Sequence, residues 1–236
     1  MQEIVITKNF IKAKMLKRYK RFFADLTLDG ELITAHVPNT GSLKSCLFPD
    51  QLAFITPAEN PERKLKFTLE ALETPTGIVG VNTQIPNQMV KMAVEAQFLA
   101  HWKNYDLVKP EFKLNAETRI DFMLENSLTH KRHFIEVKNV SLKENKVALF
   151  PDAETIRGQK HLKELMGLTK QGHSCEILFF IQRQDVSAFA AAKEIDPEYA
   201  RLLFEANSHQ VKITPIICEV SEHGYKLTHK LLPIHW

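Results

Sequence analysis

The first third of the chain alternates between short apolar runs and turn residues. From about residue 10 to residue 80 the strand-like runs include "RFFADLTL", "ELITAHV", "LAFITPA", "FTLEAL" and "GIVGVNT". Asp29 and Gly30 separate the first two runs, and an Asp-Gly pair between two such runs indicates a β-hairpin. About five short strands in this length predict a small barrel, and the five-stranded oligonucleotide-binding (OB) barrel is a natural candidate.

The pattern changes to helical periodicity after "NTQIPNQ", which places a domain boundary near residue 85. We therefore predict an OB-fold barrel over residues 1–85 and a second domain over residues 86–236. Asp196 as N-cap and Pro197 at the first helical position mark the best-signalled helix. The predicted elements of the second domain are helices 88–103, 153–170 and 196–207 and strands 110–116, 118–124, 133–139, 174–183 and 211–220. This order predicts a sheet with helices on both faces.

The composition is that of an ordinary soluble globular protein, with 236 residues, of which 44% are hydrophobic and 25% charged. No stretch is apolar for the length of a membrane span, and the N-terminus lacks an apolar secretion segment. Cys46, Cys175 and Cys218 are far apart and in no metal-ligand spacing. We expect reduced thiols, a cytoplasmic location and no membrane partner.

Cationic residues are concentrated near the N-terminus, although the net charge of the whole chain is only +3. The segment "RYKRFF" combines cations with aromatic rings, a combination that binds phosphates and stacks on bases. The candidate nucleic-acid-binding residues here are Lys14, Lys17, Arg18, Tyr19, Lys20 and Arg21. A solvated basic face, with Tyr19 packed on the barrel, is the alternative interpretation.

Two predicted strands carry charged residues within apolar sequence: Asp121 in "RIDFML", and Glu136 and Lys138 in "FIEVKNV". Residues two apart in a strand share a face, so Glu136 and Lys138 project together. If the two strands form a hairpin, Asp121 can lie beside Glu136. Two carboxylates and the adjacent backbone carbonyl of Val137 would suit a hard cation such as Mg²⁺ or Mn²⁺. With a lysine beside the metal, the arrangement is typical of phosphodiester hydrolysis.

A salt bridge between Glu136 and Lys138 is the alternative, because this spacing of acids and lysine also arises by chance. Phe122, Met123 and Phe134 nevertheless indicate that the strands are buried. An acid in a buried strand costs free energy unless a cation or partner satisfies it, which favours a metal site.

The next helix begins "AETIRGQKHLKEL" and has many hydrogen-bond donors in its first half. Gly158 destabilises a helix interior by about 1 kcal/mol, which suggests that a ligand or another chain segment approaches it closely. The helix could contact a phosphate backbone, or present a solvated face with Gly158 as a packing notch.

Taken together, these segments resemble the sugar fermentation stimulation protein A family. The matching stretches cover nearly the whole chain and are "RYKRFFAD", "AHVPNTGSL", "GVNTQ", "RIDFML", "FIEVKNVSL", "LFPDAETIRGQKHLKEL", "FFIQR" and "IDPEYARLL". The resemblance implies an OB barrel followed by a restriction-endonuclease-like α/β domain of the PD-(D/E)xK type, with a mixed sheet flanked by helices. It also implies DNA binding and a link to the expression of sugar, notably maltose, metabolism genes.

The resemblance places the nuclease motif on Asp121, Glu136 and Lys138. Ile120 stands where the superfamily's name has proline. On the helix it favours Gln159 and Lys160 as residues that position the site or the DNA. The other donors there, Arg157 and His161, are candidate DNA contacts.

Two functions fit these residues. One is a Mg²⁺- or Mn²⁺-dependent deoxyribonuclease; the other is a non-cleaving DNA-binding regulator of sugar metabolism genes. Without a recognition helix, we expect weak sequence preference on single- or double-stranded DNA. A homodimer is expected only by analogy with nucleases of this fold. A sugar-converting enzyme has no support, since "PNTGS" at residues 38–42 is an ordinary turn and not a phosphate-binding loop.

Overall fold

The computed structural model describes residues 3–60 and 62–236 of the chain. The helices are α1 (Ile85–Glu95), α2 (Ile156–Lys170) and α3 (Pro197–Ser208), and a 3₁₀ turn spans Ala100–Asn104. The strands of the first part of the chain are β1 (Ile4–Thr7), β2 (Ile11–Tyr19), β3 (Phe23–Leu28), β4 (Glu31–His36), β5 (Leu52–Pro57), β6 (Phe67–Thr74) and β7 (Gly77–Gly80). Those of the second part are β8 (Leu107–Lys113), β9 (Arg119–Glu125), β10 (Arg132–Val140), β11 (Lys143–Glu144), β12 (Val147–Phe150), β13 (Ser174–Ile181), β14 (Ala188–Ala191), β15 (Lys212–Ser221), β16 (Gly224–Leu231) and β17 (Ile234–His235).

Strands β2 to β6 form a small closed barrel in the described part of the chain. Its antiparallel neighbours follow the order β4-β3-β2-β5-β6, and a parallel pairing of β4 with β6 closes it. Alternate side chains such as Ala24 and Leu26 are fully buried inside. Asp29 and Gly30 both have positive φ, as a two-residue hairpin turn requires. The predicted OB-like barrel is therefore confirmed.

The second part of the chain builds a mixed sheet flanked by helices, as predicted. Within the described residues this sheet has seven strands in the order β1-β16-β15-β13-β10-β9-β8. The central strands β10, β13 and β15 run parallel, and the outer pairings are antiparallel. Leu178 and Phe180 of β13 pack in one core with residues of α1, whereas Phe179 packs in another core with residues of α2 and α3. The sheet thus lies between two helical layers.

Helix α1 begins and ends earlier than the predicted helix 88–103. It ends at Glu95, and Gln97 then adopts a φ of 51°, which an α-helix cannot continue through. The 3₁₀ turn that follows buries Trp102 against the sheet. The apolar residues of this region therefore serve two elements instead of one.

Strand β1 lies in the large sheet, where Ile4–Thr7 pairs with β16. The predicted boundary had assigned these residues to the barrel with the rest of residues 1–85. Ile4 is buried in the core beside α1, which explains why this strand joins the second domain. No helix among the described residues is long and apolar enough to cross a membrane.

Candidate nuclease site

The candidate site lies where β9 and β10 separate. The antiparallel register runs from Arg132 opposite Glu125 to Ile135 opposite Phe122 and then stops. Beyond it, the Oδ2 atom of Asp121 accepts a 2.7 Å hydrogen bond from the backbone N–H of Val137. Since the N–H and C=O of one strand residue point to the same edge, the Val137 carbonyl also faces the gap beside Asp121.

The other oxygen of the Asp121 carboxylate is held by helix α1. Asn87 donates a 2.8 Å hydrogen bond from Nδ2 to Asp121 Oδ1. Burial, followed by repulsion from the nearby Glu136 carboxylate, raises the pKa of Asp121 to about 6. Two acids close enough to repel each other create a site that favours a cation.

Glu136 and Lys138 project from the same face of β10, as the strand periodicity predicted. Lys138 Nζ lies 2.6 Å from Glu136 Oε1. His161 of α2 contacts the same oxygen through Nδ1, and the lysine nitrogen is 3.3 Å from that imidazole nitrogen. Burial alone would raise the pKa of Glu136, but Lys138 and His161 hold it below its ordinary value. Glu136 is therefore a carboxylate that stays ionised although it is only 3% exposed.

The second oxygen of Glu136, Oε2, is buried and has no hydrogen-bond partner among the described residues. An unpaired, buried, ionised oxygen is costly, and a divalent cation would satisfy it. Glu136, Asp121 and the Val137 carbonyl would together offer only oxygen ligands, which is the donor set that Mg²⁺, Mn²⁺ and Ca²⁺ prefer. The residues present fit a hard divalent cation.

A cleft of about 940 Å³ lies beside Asp121 and is bordered by α2 on one side and by β8, β9 and their connection on the other. Asp121 and His161 lie on its wall. The remaining residues that line the cleft are Asn87, Glu111, Lys113, Asn115, Ala116, Glu117, Thr118, Arg119, Ile156, Arg157 and Lys160. The cations among them give the cleft a means of binding phosphates, although Glu111 and Glu117 also lie there.

The hydrogen-bond donors in the first turns of α2 contact different partners. Gln159 donates from Nε2 to both carboxylate oxygens of Asp196, at 3.0 and 3.2 Å, and Asp196 caps α3. Lys160 pairs with Glu117 at 2.8 Å, on the other wall of the cleft. The Arg157 Nε atom is 3.5 Å from Nε2 of His161. Of the two positioning candidates, Gln159 thus fixes the contact between helices and Lys160 faces the cleft.

Gly158 is a packing notch. A Cβ atom added there would lie 2.8 Å from Cγ2 of Thr155 and 3.1 Å from a ring carbon of Tyr199. Tyr199 is fully buried, and among the described residues its hydroxyl has no hydrogen-bond partner. The absent side chain lets the Tyr199 ring pack beneath α2.

The basic residues of the barrel differ widely in their contacts. The Arg18 guanidinium donates to the carbonyls of Asn39, Gly41 and Ser42, so it fixes the "PNTGS" turn. The same turn is tied to the second domain, since the backbone N–H of Ser42 donates to Asp152 at 2.7 Å. Arg18 therefore supports the junction between the domains.

Three other candidates on the barrel already have partners. Lys14 forms an ion pair with Asp50 at 2.7 Å, and Lys17 one with Asp25 at 3.4 Å. The Tyr19 ring stacks on Phe23 and its hydroxyl donates to Asp25. Each of these contacts would compete with a phosphate or a base.

Lys20 and Arg21 form the exposed turn between β2 and β3, both with positive φ. Across the described ranges, neither side chain takes part in an ion pair. They line a groove with Gly41, Ser42 and Ala153. Ala153 lies three residues before Ile156, which lines the larger cleft, so the two depressions flank the start of α2.

A model of the sugar fermentation stimulation protein RE domain matches residues 84–224, and a model of the SfsA N-terminal OB domain matches residues 16–81. The chain belongs to the sugar fermentation stimulation protein family. Its RE-domain match includes Asp121, Glu136, Lys138 and His161. The OB-domain match includes the Lys20–Arg21 turn.

Two relatives illustrate the similarity within the sugar fermentation stimulation protein family. A sugar fermentation stimulation protein homolog of Bdellovibrio bacteriovorus is 50% identical over 229 residues, which is 93% of this chain and 94% of the relative. One of Geotalea uraniireducens is 44% identical over 220 residues, covering 93% and 94% of the two chains. The structure of Pyrococcus furiosus SfsA in complex with Ca²⁺ superposes with a TM-score of 0.89 at 25% identity, covering 100% of both chains.

The sequence did not single out two residues of the site, and it gave a third a different role. His161 was assigned to DNA binding, but it is 4% exposed and contacts Glu136. Asn87, which holds Asp121, and Tyr199, which packs beside the site, were not singled out. Their sequence signals are weak, because an asparagine in a first helical turn and a tyrosine on an amphipathic helix have many other uses.

Proposed function

We propose that this chain is a divalent-metal-dependent nuclease that hydrolyses phosphodiester bonds of DNA at Asp121, Glu136 and Lys138. The observation that carries the proposal is the buried, ionised Glu136, whose second oxygen has no hydrogen-bond partner among the described residues. A purely structural salt bridge with Lys138 would use one oxygen and leave the other unsatisfied. The site therefore supports cation binding better than a structural role.

Asp121, Glu136 and the Val137 carbonyl would hold the ion, which we propose to be Mg²⁺ or Mn²⁺. When bound, such an ion polarises a phosphate oxygen and lowers the pKa of a coordinated water. The relative from Pyrococcus furiosus, whose structure is described as a complex with Ca²⁺, supports a hard divalent cation in this family. Asn87 would keep the Asp121 carboxylate oriented toward the ion.

Lys138 would donate a hydrogen bond to the attacking water or to a non-bridging phosphate oxygen. Its ammonium is held by Glu136 and His161, so little orientational freedom remains to be lost on binding DNA. Hydrolysis joins the water oxygen to phosphorus as the bond to the departing sugar oxygen breaks. One water proton passes to solvent, and the departing oxygen takes one up.

DNA would cross both depressions beside the start of α2. Lys20 and Arg21 would contact phosphates next to the barrel, and Arg157 and Lys160 would do so in the cleft. Contacts of this type read the backbone and not the bases, so we propose weak sequence preference. Whether two copies associate on the DNA stays a prediction.

A non-cleaving DNA-binding regulator is the second candidate function. It is favoured by the exposed Lys20–Arg21 turn, which lies on the barrel and does not require the acidic group. In that case the charges at Glu136 and Lys138 would only stabilise the fold. The regulation of sugar or maltose metabolism genes would then be the role of the binding surface.

The deciding experiment is cleavage of single- and double-stranded DNA with Mg²⁺ or Mn²⁺ by the wild type, Asp121→Ala and Lys138→Ala. DNA binding by each protein is measured in parallel without metal. Cleavage that both substitutions abolish, with binding retained, supports the nuclease. Equal binding by all three proteins without cleavage of either substrate would contradict it and favour the regulator.

A further inference from the structure

Another cluster of metal-ligating side chains lies away from the nuclease site. His101 comes from the 3₁₀ turn, and His133 and Glu176 come from the first residues of β10 and β13. His133 alternates with Glu136 and Lys138 along β10, so it projects from the opposite face of the sheet. Glu176 shares its face with Leu178 and Phe180, in the layer that contains α1.

The three side chains converge on one point. Nε2 of His101 and Nε2 of His133 each lie 2.9 Å from the same oxygen, Oε2 of Glu176. The two imidazole rings are nearly perpendicular, at 81° with centroids 5.7 Å apart. Ligand atoms about 2.0–2.1 Å from a tetrahedral Zn²⁺ are about 3.3 Å from one another. The two imidazole nitrogens lie within 4.8 Å of each other, so rotations of the three side chains would bring these atoms to coordination distance.

Each ligand is oriented by another buried group. Trp102 donates from its indole N–H to Oε2 of Glu176 at 3.0 Å, and the Thr214 hydroxyl donates to the other oxygen. The Nδ1 atom of His133 is 2.7 Å from the Ser174 hydroxyl. Metal-binding histidines and carboxylates characteristically have such partners, which fix the ring orientation and the tautomer.

The negative charge of Glu176 also favours cation binding by the cluster. Glu176 is fully buried, and within the described ranges no lysine or arginine forms an ion pair with it. Its charged-group contacts among the described residues are the two imidazoles, and a divalent ion held by all three side chains would give this buried carboxylate a fixed positive charge.

We propose that His101, His133 and Glu176 form a second metal site, selective for Zn²⁺ or a similar borderline transition metal. Two imidazole nitrogens and one carboxylate oxygen suit Zn²⁺ and not Mg²⁺ or Ca²⁺, which prefer oxygen ligands throughout. His101 is only partly buried, so the ion has access from solvent and a fourth position for water. Bound there, the ion joins the 3₁₀ turn to the parallel strands β10 and β13.

The test uses the full chain and Zn²⁺ in the presence of excess Mg²⁺, which saturates oxygen-only sites. Four proteins are compared: the wild type, His101→Gln, Asp121→Asn and the control His223→Ala, which removes an exposed histidine elsewhere. Glutamine at 101 keeps an amide donor for Glu176 but has no imidazole, so the hydrogen-bonded fold is preserved. Zn²⁺ content after dialysis and the Zn²⁺-dependent shift in Tm are measured.

We expect the wild type, Asp121→Asn and His223→Ala to retain about one Zn²⁺ per chain and to melt at a higher temperature with Zn²⁺. His101→Gln should lose both effects. Equal Zn²⁺ content in the wild type and His101→Gln, or no Zn²⁺-dependent Tm shift in either, would overturn the proposal. Loss of Zn²⁺ from Asp121→Asn alone would also overturn it, since the ion would then belong to the nuclease site.

Discussion

The carboxylate of Asp121 occupies the place of a missing strand pairing: its Oδ2 atom accepts the backbone N–H of Val137 at 2.7 Å, just beyond the last paired residues of β9 and β10. At this point a side-chain carboxylate replaces the backbone acceptor that a paired strand would provide. Because that group is buried beside Glu136, the arrangement costs stability, as expected of a site that a cation would complete.

Asp121→Asn should stabilise the metal-free protein at neutral pH. The pKa of Asp121 is raised from its ordinary value of 3.8 to about 6, so its folding contribution is most favourable below pH 4 and is lost as the pH rises through 6. Asparagine cannot ionise, so we expect a gain on the order of 2–3 kcal/mol at pH 8 and little change at pH 3.5. Urea unfolding at both pH values in a chelator measures the difference.

Asp106→Asn is the matched control, because the pKa of Asp106 is lowered by hydrogen bonds from Ser127. Its contribution is present above the ordinary pKa of an aspartate and is lost as the pH falls through the lowered value. The control should therefore weaken the protein at pH 8. A stability gain for Asp121→Asn that is equal at both pH values would contradict the assigned pKa.

Asn87→Ala should weaken binding of Mg²⁺ or Mn²⁺ at the proposed nuclease site. The substitution removes the 2.8 Å hydrogen bond that orients Asp121, and loss of such a partner typically costs about 10- to 100-fold in metal affinity or activity. Titration calorimetry of Mn²⁺ measures the affinity. Gln88→Ala, at an exposed position of the same helix, should bind as the wild type does; equal affinities for all three proteins would exclude a role for Asn87.

Neutralising the Lys20–Arg21 turn should weaken DNA binding in a salt-dependent way. For Lys20→Ser combined with Arg21→Ser we expect the slope of log K against log salt to become shallower by about 1–2. Fluorescence anisotropy in a chelator, over a series of NaCl concentrations, measures this slope. Lys230→Ser, on the exposed face of β16, is the control. An unchanged slope for the double variant would remove the turn from the DNA-binding surface.

Gln159→Ala should destabilise the fold more than Lys160→Ala does. Gln159 is buried and donates to Asp196, so its loss leaves a buried carboxylate short of partners and should cost about 1–3 kcal/mol. Lys160 forms an exposed ion pair, which is worth about 0–1 kcal/mol. Urea unfolding of both variants gives the comparison; the reverse order would mean that Lys160 holds α2 to the opposite wall of the cleft.

Strand periodicity was sufficient to predict that Asp121, Glu136 and Lys138 lie close together. Glu136 and Lys138 share a face because they are two residues apart, and Asp121 is brought near by a hairpin whose two strands are adjacent in the chain. The barrel and the layered sheet could also be predicted, because both follow from short apolar runs and from the order of the predicted elements along the chain.

Contacts between distant segments could not be predicted in this way. Arg18 resembles a phosphate-binding residue, yet its partners are carbonyls of residues 39–42, more than twenty positions away. His161 and Gln159 look equivalent as donors on α2. Helix rotation directs one toward Glu136 and the other toward Asp196. Which surface a donor meets depends on packing that local patterns do not encode.

The pairing of β1 with β16 makes the barrel an insertion within the second domain. The chain forms one edge of the large sheet, leaves to build the barrel, and returns at α1 to complete the remaining strands. Both ends of the barrel segment are thus joined covalently to elements of the second domain. A fragment that starts at residue 84 would lack β1, so the edge of β16 would be uncovered and prone to pair with other chains. The barrel is therefore better removed by excising the segment between β1 and α1, which contains β2 to β7, and bridging the gap than by truncation.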